Sequence, residues 1–116
     1  MAKMMKRVGM IVAGVLLLFT QNAWAAGPAP SNLRQTGVFA GQPVLGWDAP
    51  AAVVSYYRVL VDGSQAYRPR VPSVKVDDLV KYCHVLRGHT YSISVQAVDP
   101  TGARSETSES LQVTVA

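Results

Sequence analysis

A chain of 116 residues with one cysteine, 49% apolar residues and a formal charge of +4 leaves room for one domain of ordinary size and no internal disulfide. Its 11 basic residues against 7 acidic ones would suit a nucleic-acid binder, but their placement excludes that class. Lys3, Lys6 and Arg7 all crowd the first turns of the chain, where no acidic residue lies.

Those three cations are followed by an uncharged run, Val8 to Phe19, and then by Ala23-Trp24-Ala25. A positive start, a short apolar segment and an A-x-A end are the three parts of a secretory signal, so residues 1–25 are expected to be cleaved. The uncharged run is 12 residues long, whereas crossing a bilayer takes roughly 20, so no membrane span is expected in the mature chain. Lipid anchoring would need a cysteine at the new N-terminus, and Cys83 is far from it. Cleavage leaves 91 residues carrying 8 basic and 7 acidic groups, a net charge of +1. No nucleic-acid partner is therefore expected. The signal is bacterial in style and predicts a periplasmic or secreted protein. In an oxidising compartment Cys83 either packs as a small hydrophobe, the commoner outcome, or bridges to a second copy.

Residues 26–29 read as a Pro/Gly leader, and the domain is expected over residues 30–116. Leu33–Thr36 and Val44–Trp47 are the first two predicted strands, the second stopped by Asp48-Ala49-Pro50. Pro43 stands at the start of the second, where it suits only a strand end or a bulge. Tyr56–Val61 is aromatic and β-branched, the preferred chemistry of a strand, and ends at the hairpin signal Asp62-Gly63. Gln65–Arg68 is the returning strand, limited by Pro69 and Pro72. Ser73–Asp77 and Tyr91–Ala97 alternate apolar and polar residues, as does Leu111–Val115 after the turn Asp99-Pro100-Thr101-Gly102. No helical period is expected anywhere, although residues 79–88 fit either one helical turn or a loop crossing between sheets. Seven short strands in about 90 residues predict an all-β, antiparallel Greek-key sandwich.

The order of landmarks resembles a fibronectin type III domain. Pro30-Ser31-Asn32-Leu33 resembles the family's opening P-x-x-L, and Leu45-Gly46-Trp47 its second-strand L-x-W. Tyr57-Arg58-Val59 with Asp62-Gly63 resembles the third-strand Y-x-V and hairpin. Gly88 to Asp99 resembles the sixth-strand G-x-x-Y-x-x-x-V-x-A-x-D, and Gly102-Ala103-Arg104-Ser105 the G-x-x-S that follows. The resemblance runs from residue 30 to 115. It implies an immunoglobulin-like sandwich with Trp47 and Tyr57 in the core and Tyr91 as the tyrosine-corner residue, bonded through its hydroxyl to the chain upstream. Val85 stands where the family usually has Leu. The resemblance also implies recognition rather than catalysis, with no cofactor.

Only Cys83-His84, with His89 beyond, carries nucleophile or ligand chemistry. On a strand the adjacent pair would point to opposite faces, and the trio lacks a fourth metal ligand at a zinc spacing. Asp77-Asp78 would splay apart in the same way, and neither a serine elbow nor a phosphate-cradling glycine loop is present. No catalytic, cofactor or metal residues are therefore assigned. Two surfaces suit a partner. Tyr56, Tyr67, Arg68 and Arg70 surround the third-strand hairpin, and Tyr and Arg are the residue types that dominate binding hot spots. A polar sheet face with Tyr67 laid over it is the competing reading. The second surface is the loop Pro100–Arg104, where some family members carry R-G-D and this chain reads Thr101-Gly102-Ala103-Arg104. Three functions stay open. The leading one is an exported binding module for an envelope or extracellular protein or polysaccharide. A structural subunit, self-associating through edge strands or as a Cys83 homodimer, is second. A small metal-binding or catalytic protein using Cys83 and His84 is third.

Overall fold

The alternating segments form seven strands in two antiparallel sheets over residues 27–116, the residues that the computed structural model describes. The expected signal, residues 1–25, lies outside them. The strands are β1 (Ser31–Phe39), β2 (Gln42–Asp48), β3 (Tyr56–Val61), β4 (Ser64–Tyr67), β5 (Ser73–Lys75), β6 (Thr90–Val98) and β7 (Leu111–Thr114). One short helix, α1 (Val76–Tyr82), follows β5. The smaller sheet has the order β1-β2-β5 and the larger one β4-β3-β6-β7.

Period two decides which side chains lie between the sheets. Tyr57 and Val59 of β3 face Ile93, Val95 and Ala97 of β6 on the same inner surface, and Leu45, Trp47 and Val74 close on them from the smaller sheet. Trp47 and Tyr57 meet edge to face, with ring centroids 5.3 Å apart and planes at 76°. Burial of two such rings supplies much of the packing that a chain without a disulfide needs, and truncating Trp47 would cost about 3–5 kcal/mol. Gly46, between Leu45 and Trp47, matters for a different reason: a Cβ there would come within 2.8 Å of the Thr36 methyl, so the Thr36 side chain would have to shift.

The tyrosine corner forms as the resemblance implies. The Tyr91 hydroxyl accepts the Leu86 N–H at 2.9 Å, and Val85 fills the adjacent core position. Asp62 and Gly63 both have positive φ, at 50° and 87°, as a tight hairpin of this kind requires. Pro43 is paired with Val38 inside β2 but lies beyond the β5 ladder, which spans only Val44–Gly46.

Two expectations are corrected. The strand predicted over Ser73–Asp77 ends at Lys75, and the chain turns into α1. Val76 and Leu79 keep facing the core at helical spacing, while Asp77 and Asp78 occupy the positive first turn and Lys81 the last. Lys81 Nζ reaches Asp77 Oδ2 at 3.1 Å, one turn away, although without hydrogen-bond geometry. A helical period therefore does exist, and Asp77-Asp78 are helix-entry residues rather than strand neighbours.

Candidate functional site

The outer surface of the larger sheet carries the residues that inner packing leaves over. Along β3 these are Tyr56, Arg58 and Leu60; along β6 they are Ser94, Gln96 and Val98, paired Tyr56 with Val98, Arg58 with Gln96 and Leu60 with Ser94. Leu60 and Val98 are only 8% and 1% exposed, yet neither belongs to the cluster between the sheets. They stand at either end of the face's polar side chains, Leu60 beside Ser94 and Val98 beside Tyr56.

Those side chains are tied to one another. Arg58 donates from Nε to Gln65 Oε1 at 2.9 Å and from Nη1 to Gln96 Oε1. Gln96 in turn donates to the Ser105 carbonyl at 2.9 Å. Arg104, the neighbour of Ser105, pairs with Val98 through an isolated bridge and so joins the same face. On the opposite side the Arg68 guanidinium lies 5.5 Å from the Tyr56 ring centroid, within cation–π reach. Burial lowers the Arg58 pKa, and the Arg104 charge lowers it further, but a guanidinium stays protonated at any physiological pH.

No carboxylate neutralises this face. Among the described residues the two ion pairs are Arg34–Asp48 and Lys81–Asp77, so Arg58, Arg68, Arg70 and Arg104 have no carboxylate within 4.0 Å. Asp99, in the turn that precedes Arg104, is committed locally. Its Oδ1 accepts the Thr101 hydroxyl at 2.7 Å and the N–H groups of Thr101 and Ala103 at 2.9 Å, and the Thr101 bond leads the downward shift of its pKa.

Of the residues singled out from sequence, Tyr56, Arg68 and Arg104 share this face. Tyr67 does not lie over it. Opposite Val59, it turns inward and packs against the core, which removes the competing reading of a sheet roofed by Tyr67. Arg70 is one step away, bordering a groove of about 310 Å³ with Arg68, Lys75, Asp78 and the half-buried Tyr67, where β4 crosses to β5. Arg58 and Gln96 were not singled out, although the alternation that buries Tyr57 and Val59 already assigns Arg58 to the outer face.

Cys83 and His84 sit at the end of α1, not on a strand, so the splaying expected of them does not apply; both border a groove of about 380 Å³. Chemistry separates them instead. The Cys83 thiol donates to the Ala66 carbonyl at 3.1 Å, and burial, aided by the Asp78 charge, pushes its pKa up. A thiol held protonated is a poor nucleophile and metal ligand. The His89 ring centroid lies 6.3 Å from that of Tyr91, which borders the same groove. The thiol thus ties the end of α1 to a carbonyl of the edge strand β4.

No family model and no curated protein matches the chain. Solved structures do. The central fibronectin-III array of RIM-binding protein is 20% identical, with 77% of this chain and 32% of that chain covered and a TM-score of 0.56. The spore cortex lytic enzyme SleM of Clostridium perfringens is 23% identical, with 75% and 28% covered and a TM-score of 0.57. A structure described as a myokine is 18% identical, with 76% and 96% covered and a TM-score of 0.52. The chain spans about a third of the length of the first two. At these identities the likeness is one of fold, and the fold is fibronectin type III-like.

Proposed function

We propose that the protein is an exported, non-catalytic recognition module whose partner docks on the outer face of the larger sheet, at Tyr56, Arg58, Gln96 and Arg104, with Arg68 at its edge. The observation that carries this reading is the concentration of guanidinium groups on one ordered surface with no carboxylate beside them. Several polar side chains elsewhere serve the fold. Asp62 receives the Ser92 N–H, Asp99 closes its own turn, and Ser105 and Ser108 receive N–H groups of β6. Arginines left unneutralised on a rigid sheet gain more from a partner than from water, since a planar fork already in position loses little freedom on binding.

Export is proposed from the sequence of residues 1–25, with the periplasm or the extracellular space as destination and an envelope or extracellular protein or polysaccharide as partner. The strand order supports a Greek-key path for the chain. Homodimerisation through Cys83 is the weaker reading, because that thiol is half-buried and already bonded to Ala66.

The test is affinity capture from cell-envelope extracts with the wild-type protein, with Tyr56→Ala and with Arg104→Gln. Both substituted side chains lie outside the inter-sheet core, so the variants should stay folded. A species captured by the wild type and lost by both variants is expected. Equal capture by all three would remove the sheet face from consideration.

A further inference from the structure

The chemistry of the face narrows the class of partner. An Arg side chain has five N–H donors, and Arg58 uses two of them on Gln65 and Gln96. Nη2 and the second hydrogen of Nη1 remain, the pair that grips a carboxylate with two parallel bonds. Arg104 stands across β6 from it, carried there by its bridge to Val98 and by the bond from Gln96 to Ser105, near enough for its charge to act on Arg58. Two neighbouring guanidiniums with no carboxylate between them repel each other, and an anion entering between them removes that repulsion as well as gaining its own bonds.

Two classes of partner could supply the anion: a protein with acidic side chains, or a polyanionic chain such as a sulfated or uronate-rich polysaccharide. Composition favours the first. Attraction to a polyanion grows with the number of cations that can track along it. Residues 26–116 carry 8 basic and 7 acidic residues, so a long polyanion would meet nearly as many like charges as opposite ones. The face itself holds arginine and tyrosine but no lysine. Lys75 lies over the Phe39 ring and Lys81 is paired with Asp77. Arginine and aromatic residues without lysine are the composition of protein interfaces. Exposed apolar residues flank the face as well. Val71, 60% exposed, borders the groove at the edge of the face, which Arg68, Arg70, Lys75 and Asp78 also line, and Val53, 73% exposed, lies in the loop that leads into Tyr56.

We infer that the partner is a protein that seats a side-chain carboxylate at the Arg58–Arg104 pair, with Tyr56 as the aromatic anchor beside it. The inference rests on the sheet face being the contact surface. It adds the chemical class of what arrives there.

The experiment is an NMR titration of the ¹⁵N-labelled protein with two probes, a short peptide rich in Glu, Leu and Tyr and a sulfated oligosaccharide of similar charge. The peptide is expected to give saturable shifts at residues 56–60, 94–98 and 104 and at the Arg58 Nε–H. In Arg104→Gln its affinity should fall about tenfold, the usual loss for one charge-assisted contact. Arg34→Gln, altered in the other sheet, should bind as the wild type does. Tighter binding of the oligosaccharide on the same residues would overturn the inference, as would the absence of saturable peptide shifts on this face. If Tyr56→Ala still abolishes envelope capture in either of those cases, only the partner class falls. If capture survives Tyr56→Ala, the sheet-face reading falls too.

Discussion

Gln42 offers the sharpest test of how the sandwich is held closed. Its side chain is 1% exposed and treats the backbone of Ala116 as a neighbouring strand would. Nε2 donates to the Ala116 carbonyl at 2.6 Å, and Oε1 accepts the Ala116 N–H at 2.8 Å. Each such bond contributes about 0.5–1.5 kcal/mol net, so Gln42→Leu should cost about 1–3 kcal/mol. For a domain of this size that corresponds to roughly 5–20 °C in Tm. Gln42→Glu provides the sharper arm, because a carboxylate cannot donate to the Ala116 carbonyl. Burial beside an acceptor pushes the folded-state pKa above the unfolded value of about 4.3, against the pull of the Arg87 guanidinium, which donates to the same Ala116 oxygen at 3.2 Å. A group with a raised folded pKa stabilises below the unfolded value and loses that contribution as pH rises. The gap between Gln42→Glu and wild type should therefore be widest at pH 7 and narrow towards pH 4. Urea unfolding followed by circular dichroism at both pH values measures it. A Gln42→Leu loss below about 0.5 kcal/mol, or a Gln42→Glu gap independent of pH, would refute the clamp.

Tyr91→Phe keeps the ring and removes only the acceptor for the Leu86 N–H, so a loss of about 1 kcal/mol is expected in the same unfolding assay; no change would mean the corner bond is idle. Cys83, whose pKa is raised by burial, should be alkylated by iodoacetamide at pH 8 severalfold more slowly in the folded protein than in urea, and equal rates would contradict the half-buried thiol held to the Ala66 carbonyl. The Asp99 pKa is lowered, led by its bond from the Thr101 hydroxyl, so its contribution is present above the unfolded value and lost as pH falls through the folded one. Asp99→Asn should accordingly be less stable than wild type at neutral pH, with the difference closing below about pH 4, the ordinary carboxylate range. A difference that persisted in acid would point to a role for Asp99 other than its charge.

How much of this was legible in the sequence depended on how local the cause was. Tyr56–Val61 coincides with β3, because β-branched and aromatic residues before Asp62-Gly63 leave few other options. The tyrosine corner followed from the resemblance. The start of helix α1, before the stretch from residue 79 where a helical turn was allowed, escaped because Val74 and Val76 satisfy a period of two, while Val76 and Leu79 satisfy the helical one, and three residues cannot separate the two periods. The Gln42 clamp joins residues 74 apart, and a polar side chain after a turn gives no sign of that destination. The Cys83 bond to Ala66 is hidden for the same reason, since it depends on where α1 ends. At the candidate site, Tyr56 and Arg68 were visible as residue types near a hairpin, whereas the pairing of Tyr67 with Val59, which half-buries it beside the groove of Arg68 and Arg70, was not. Arg58 was readable from alternation alone. Its link through Gln96 to the loop of Arg104 was not, because that link requires β3 and β6 to be neighbours.

The most direct test of the central claim is a hydrogen-exchange footprint of the protein with and without the partner captured from envelope extracts. The sheet-face account predicts new protection over residues 56–61 and 94–98 and at the loop of Arg104. Protection confined to β1, residues 31–39, or to β7, residues 111–114, would contradict it, since the partner would then be adding to a sheet edge instead of docking on the arginine face.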